Sequence, residues 1–551
     1  MNAASNAAKL PPPKNPPLKD RKDYKLIGKP MPRQDTPLKT NGAAIFGLDK
    51  KLPGMLYAMV ERNPRFLGKV KSFDDTATKA IPGVKQVFTV KRTVFANLQE
   101  GVAVVADSLW AALQGRKVLK VEWDDSGFEH LDTEQLFARM REDLNKPALS
   151  DRTGGNFEAA FQKADKKIEA VYELPYEAHA CMEPLNCIAH VHGNMIEVWG
   201  PIQGPDWVQS DLSERMGVPL DNVIVNMTFL GGGFGRKAFL DYPHEAVVIS
   251  KEIKAPVQVV WTREDDMTQG PFRPGAVYGC KGALSSNGNI LAFQTKTATQ
   301  NMNHENPGAD LSSYNGDTLD GFLRPYFESI PHYSFADIPT VSPIPVMWWR
   351  SVYASTNGFA YESFIDELAH AAGKDPLDFR KQHLGDERYQ ALIDQLIELS
   401  GWKSRGKNEG WGVAITECFS SIVGEVVKVS HRPDGKIKID KVIALMDCGW
   451  YVNPDIIRAQ VEGSIVMALG AAIKHETHFK DGMAVEKNLD TYKMPRIGDI
   501  PEIEVHIVDN QEKAGGVGEP GLPPLAPALY NAIFDLTGKR IRKLPFLLEE
   551  V

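Results

Sequence analysis

The chain has five cysteines in 551 residues, at 181, 187, 280, 418 and 448, with no CxxC pair and none of the clustering that an iron–sulfur centre or structural zinc needs. Any iron–sulfur centre it works with is therefore expected on another chain. Excess charge is lacking too. With 63 basic and 71 acidic residues the formal charge is -8, which gives no field to gather nucleic acid or an anionic membrane surface. No apolar run approaches the roughly 18 residues that span a bilayer. The start, MNAASNAAKLPPPKNPPLK, has no apolar signal stretch, so the chain as written carries no address. Absence of a P-loop, an HExxH and a GxSxG element removes P-loop NTPases, zincins and typical α/β-hydrolases. Partners are expected among small molecules and proteins, with no nucleic acid and no membrane.

Proline is concentrated at one end: eight of the 37 fall within residues 1–37, which read as an extended arm and hint at something upstream of it. The length favours three or four domains. From 38 to 150, apolar segments AAIFGL, KQVFTV and VAVVA predict strands, and DSLWAALQGRKVL predicts a helix capped by Asp107 or Ser108. Hairpins are predicted around 187–199, 278–297 and 426–445. Helices are predicted at 357–373, 454–474 and 527–538, the first and last ending on glycine. Strands and helices mix without a regular βαβ repeat, so the fold class is α+β in several lobes.

The chemistry is expected at four places. LGGGFGRKA (230–238) follows the strand-like NVIVNMTFL and matches the GxGxxA form of the dinucleotide fingerprint. A nicotinamide-dependent dehydrogenase would need a helix directly after the glycines, yet Pro243 is placed to interrupt it, and the acidic residues Glu264 and Asp265 come late. The same loop could instead aim backbone N–H groups at an oxo or anionic ligand, its missing side chains admitting a bulky cofactor, or be a tight turn with no ligand. Glu519, in KAGGVGEPGLPPLAP, stands on a loop that can be neither helix nor strand. It suits a general base, or else a surface turn. Arg350 in MWWRSVY could capture a phosphate or stack on Trp349 in solvent, and Gln203 offers an amide from the stiff loop of WGPIQGPDW. In EAHACMEPLNC, His179, Cys181 and Glu183 would face one way on a strand. Core chemistry is favoured there over a metal site.

Taken in order, CMEPLNCIAHV, WGPIQGPDWVQ, LGGGFGRK, WWRSVYASTNGF, DCGWYVNPDIIRAQVEGSIVMALGAAI and GGVGEPGLPPLAPALYNAIFDLTGKRIRKLPF resemble the molybdopterin-binding large subunit of the xanthine dehydrogenase/aldehyde oxidase family, in the branch of the isoquinoline 1-oxidoreductase beta subunits. The resemblance implies an arm (1–37), an a/b hammerhead domain (38–150) and a molybdenum cofactor-binding domain in two parts (151–400 and 401–551). It implies a molybdenum–molybdopterin cofactor in the cytosine dinucleotide form, with no protein ligand to the metal. Gly232, Gly233, Phe234 and Gly235 would lie beside its oxo group together with Gln203, Arg350 would contact the cofactor, and Gln460 would bond the pterin. Glu519 would be the catalytic base, acting on a metal-bound hydroxide that attacks an N-heterocyclic aromatic or an aldehyde. Two electrons would leave for a small partner subunit carrying two [2Fe-2S] clusters.

Two departures from the family's pattern carry expectations. Ala238 stands where purine-oxidising members carry a glutamate, which argues against purine substrates. No MGQG or GGSTS-like segment is found, which implies an N-terminally truncated or split subunit, in the split case with a separate chain supplying the missing cofactor contacts. The compartment is then periplasmic if a twin-arginine signal precedes the sequence, and otherwise cytoplasmic. The alternative function is a non-catalytic remnant or assembly module.

Overall fold

The computed structural model describes residues 2–94, 97–125, 131–302, 317–322, 324–406 and 408–548. Three β-sheets form its frame. The largest has seven strands in the order Val223–Met227, Met195–Gly200, Asn186–His192, Val257–Val260, Leu56–Arg62, Asn97–Ala106 and Val84–Val94, so strands from both sides of residue 150 share one sheet. A five-stranded sheet runs Ser150–Gly154, His332–Pro339, Ile290–Thr299, Ala276–Leu284, Lys166–Leu174. A four-stranded sheet runs Glu409–Cys418, Ser421–His431, Ile437–Asp447, Glu502–Ile507. Parallel and antiparallel neighbours mix within each sheet. The α+β expectation holds, as do all three expected hairpins.

The three long helices form where they were expected. Ala354–Ala372 ends on Gly373 and Leu525–Thr537 on Gly538, both glycines in the left-handed conformation that a helix stop favours. Ser108 caps Leu109–Val118 by accepting the Ala111 N–H. Ala354–Ala372 is buried almost end to end because it belongs to a single core that joins the five-stranded and four-stranded sheets, with Tyr172, Phe359, Phe364, Val413 and Ile415 in one cluster. Pro454–Ile473 has a mean hydropathy of 1.5 and is long and apolar enough to cross a membrane by length and composition, which the raw sequence did not suggest. Its Ile457, Val461, Ile465 and Leu469 pack into that same core.

Two local expectations fail. AAIFGL makes no strand: its Gly47–Asp49 part is a short 3-10 turn and Phe46 only bridges to Phe229. The Gly47 N–H is taken by Glu183, and a side chain at Gly47 would meet Asn186 Oδ1 at 2.2 Å. Pro243 interrupts nothing either. The helix begins at Asp241, so the proline sits in its first turn, where its missing N–H costs no hydrogen bond. The proline-rich arm is exposed and tied to the four-stranded lobe. Gly28 N–H donates to the Val452 carbonyl and Asn453 Nδ2 to the Met31 carbonyl, each at 2.8 Å, and Arg21 pairs with Asp509.

Candidate active site

Three chain segments meet at Glu519. The first is its own loop, held because Gly515 N–H donates to the Cys448 carbonyl and Gly516 N–H to the Phe419 carbonyl. The second is Arg350–Ser351. Ser351 N–H donates to Glu519 Oε2 at 2.6 Å, and the Ser351 hydroxyl donates to the Glu519 carbonyl at 2.8 Å. Arg350 Nε donates to the Gly518 carbonyl at 2.9 Å. The third is the Pro454–Ile473 helix, where Gln460 Oε1 accepts from Arg350 Nη2 at 2.9 Å. Arg350 is thus buried and spent largely on fixing its neighbours, neither loose in solvent nor stacked on Trp349. That ring faces the Arg273 guanidinium instead, 5.0 Å from its centroid. Arg350 Nη1 and Glu519 Oε1 make no hydrogen bond among the described residues, and both remain available.

Burial dominates the electrostatics. It raises the half-buried Glu519 carboxyl above the ordinary carboxylate value, while the Ser351 N–H and the Arg350 charge pull it back. It also lowers Arg350 to about 10, against the attraction of Glu519. A base held above the carboxylate norm binds its proton better, as general-base work near neutral pH requires.

The glycine loop forms the second half of the site. Phe234 has φ 53° and Gly235 φ 105°. The missing side chains are required by neighbours within the protein: a Cβ on Gly231 would lie 2.4 Å from Glu183 Cβ, on Gly233 2.3 Å from Gln203 Oε1, and on Gly235 2.0 Å from the Trp348 carbonyl oxygen. What the loop offers outward is backbone. The N–H groups of Gly232, Gly233 and Phe234 have no hydrogen-bond partner among the described residues. Gln203 Oε1 takes the next one, from Gly235, at 3.3 Å. A row of free N–H groups is a ready acceptor site for an oxo or anionic ligand.

The part of EAHACMEPLNC from His179 to Glu183 braces this loop from behind and is not a strand. Ala180 stands at φ 46°, and the three candidate ligands bond protein groups. His179 Nε2 donates to the Trp348 carbonyl at 2.7 Å, and burial drops the ring to about 3, so it is neutral. Cys181 Sγ donates to the Gly233 carbonyl at 3.2 Å. Glu183 accepts from Gly231 N–H at 2.9 Å, Gly47 N–H at 3.0 Å and Lys237 Nζ at 2.9 Å. Arg236 and Lys237, whose direction the sequence left open, are both fully buried. Arg236 forks onto Asp241 with two contacts of 2.9 Å, and Asp241 also receives Arg92. Trp348, held by His179 and abutting Gly235, lies two residues before Arg350 and so joins the loop to the Glu519 cluster.

Beside Ser351 opens a cavity of about 780 Å³ whose described walls include Phe322, Tyr333, Val352, Tyr353 and Phe419, with Arg152 and Glu328 also on it. Ser351, Val352, Phe419 and Ser420 all have positive φ, an accumulation of backbone strain typical of functional sites. Neither Ser351 nor the Phe419–Ser420 turn was legible beforehand, since nothing in SVY or CFSS announces a left-handed backbone.

Residues 141–384 and 418–501 each match a family model described as a molybdopterin cofactor-binding domain. The beta subunit of isoquinoline 1-oxidoreductase from Brevundimonas diminuta is 30% identical over 96% of this chain and 69% of its own length. The chain belongs to the molybdopterin-binding large subunits of the xanthine dehydrogenase/aldehyde oxidase family. One subunit of the nicotinate dehydrogenase of Pseudomonas putida is 28% identical over 97% of this chain and 47% of its own length. Quinoline 2-oxidoreductase from Pseudomonas putida 86 superposes with a TM-score of 0.79 at 15% identity, covering 96% of this chain and 98% of that one. The residues present fit the family's molybdopterin cofactor. The loop offers three free N–H groups, and the cluster around Glu519 offers a free guanidinium nitrogen and one open carboxylate oxygen, the two being joined through Trp348.

Proposed function

We propose that this chain is the catalytic subunit of a molybdenum hydroxylase that oxidises an N-heterocyclic aromatic or an aldehyde with water-derived oxygen. In balance, R–H and H2O become R–OH, two protons and two electrons, the electrons leaving to a small subunit with two [2Fe-2S] clusters. One observation carries the reading: Glu519 is anchored through Oε2 by Ser351 N–H and leaves Oε1 open, on a loop that the Arg350–Gln460 pair holds through the Gly518 carbonyl. Once bound, the cofactor would supply the activated oxygen and the sink for the electron pair.

The chain's own residues do the rest. Ser351 N–H fixes the Glu519 carboxylate through Oε2 and leaves Oε1 free to hold a proton. Gly232, Gly233 and Phe234 N–H groups would steady negative charge on the cofactor's oxo side, and Gln203 stands next to them. Arg350 Nη1 and the Gln460 amide would hold the pterin, for which the cytosine dinucleotide form is proposed. The aromatic walls of the cavity beside Ser351 suit a flat ring, and Ala238 offers no carboxylate for a purine. The test is to purify the chain with its iron–sulfur partner, measure molybdenum and pterin, and oxidise isoquinoline in 18O-water. A stoichiometric metal and labelled product are expected; a complex that never takes up molybdenum would sink the proposal.

A further inference from the structure

A second cavity, of about 530 Å³, lies between the segment after the Pro454–Ile473 helix and the chain's last described residues, and shares no lining residue with the cavity beside Ser351. Its charges are unbalanced in a specific way. Lys474 is paired with Asp499, Arg540 with Asp366 and Arg542 with Glu367. The two wall carboxylates share one partner, His478, which reaches Glu486 at 2.9 Å and Glu476 at 3.3 Å, and the Lys543 charge also acts on Glu476. Lys493, Lys539 and Lys543 are left over, all exposed and none with a carboxylate in ion-pair reach among the described residues. Lys539 has only the Phe546 ring, 5.0 Å away. Ile541, Pro545, Phe546 and Leu547 give the wall an apolar part, beside the polar His475 and Thr491.

Three ammonium groups brought to one cavity repel one another unless an anion sits among them. An apolar wall beside them adds a place for a hydrophobic body. We propose that this cavity binds an organic anion whose phosphate or carboxylate head is held by Lys493, Lys539 and Lys543, with an aromatic or aliphatic body against Phe546 and Leu547. The site is independent of the redox reaction and takes a ligand of different chemistry from the substrate.

Calorimetry of the full chain with 1-naphthyl phosphate, 1-naphthoate and inorganic phosphate tests it. Saturable binding of at least one naphthyl anion is expected, and which of the two binds tells a phosphate head from a carboxylate head. Affinity should fall at least about tenfold in Lys493→Ala/Lys543→Ala, and should weaken as salt is raised. Lys539→Met, a single exposed change, should weaken binding in the same direction. Circular dichroism matching the wild type checks the fold of each variant. No saturable heat with either naphthyl anion, or undiminished binding in both lysine variants, overturns the site. Inorganic phosphate binding as tightly as the naphthyl anions overturns the organic class of ligand. Loss of binding in Phe419→Ala alone would place the probe in the other cavity and overturn the assignment.

Discussion

Ser351 N–H points at Glu519 Oε2 from 2.6 Å, while the Ser351 hydroxyl holds the carbonyl of the same glutamate at 2.8 Å. One residue thereby fixes both the orientation of the carboxylate and the loop beneath it. A Glu519→Gln variant keeps the oxygen that Ser351 needs and the bulk of the side chain, and loses only the base. Turnover should fall at least about 100-fold, with molybdenum content and melting temperature unchanged. Single-turnover reduction by substrate separates these quantities. Activity within about twofold of wild type would remove Glu519 from the mechanism.

The pH dependence follows from the same carboxyl. Burial raises it and Arg350 lowers it, so the acid limb of kcat/KM should lie above the ordinary carboxylate range. The base must be ionised, so the rate falls as pH drops through that raised value. Arg350→Met removes the opposing positive charge and should move the limb further toward alkaline pH. Arg350→Lys should keep its position better, although lysine cannot bond Gly518 and Gln460 in a fork. A profile that is unmoved in Arg350→Met would show that the limb belongs to another group.

Behind the glycine loop, the buried Glu183–Lys237 pair should be unequal when broken. Lys237→Met leaves the Glu183 carboxylate with the N–H groups of Gly47 and Gly231 and with Asn186 Nδ2. Glu183→Leu strands all of these and leaves the Lys237 ammonium without a partner in a fully buried position. The glutamate variant should therefore lose the larger amount, on the order of 3–5 kcal/mol. It should also lose molybdenum, because the loop registers on Glu183. Denaturant titration with metal analysis of both variants checks the order. Equal losses would mean that the N–H bonds to Glu183 contribute nothing.

Much of this was legible in the sequence where short-range rules apply. Gly373 and Gly538 stop helices, Ser108 caps one, and the three hairpins form where expected, because each is decided by residues within a few positions. Gln203, Arg350, Gln460 and Glu519 were picked out as site residues through the order of motifs, yet their contacts were hidden, since the Arg350–Gln460 and Arg350–Gly518 bonds join residues more than a hundred positions apart. The Phe419–Ser420 turn had no signal at all. Both residues have positive φ without glycine or asparagine, and the turn is held because Gly516 donates to the Phe419 carbonyl and Ser421 donates to the Gly516 carbonyl. His179, Cys181 and Glu183 read as core chemistry ahead of a metal set, and they do lie buried among protein partners. Their actual work, bracing the glycine loop, depends on long-range partners that no spacing reveals.

Glu425 gives a test of how burial is tolerated in the shared core. It lies between Ala414 and Ala444 on neighbouring strands, is fully buried, and neither of its carboxyl oxygens has a hydrogen-bond partner among the described residues. Burial raises its carboxyl well above the ordinary value, which favours the protonated form in the fold. In the unfolded chain the same group ionises near the normal carboxylate value. As pH rises past that point, the unfolded state gains a favourable ionisation that the folded state is denied, and stability is lost until the folded value is reached. Glu425→Leu removes both the unpaired polar group and this loss. The variant should be more stable than wild type at neutral pH, by about 1–3 kcal/mol, and the advantage should shrink as pH is lowered toward the ordinary carboxylate value. Denaturation midpoints measured at acid and neutral pH decide it. An advantage that grows on acidification would mean that Glu425 is charged in the fold, with a partner for its carboxylate.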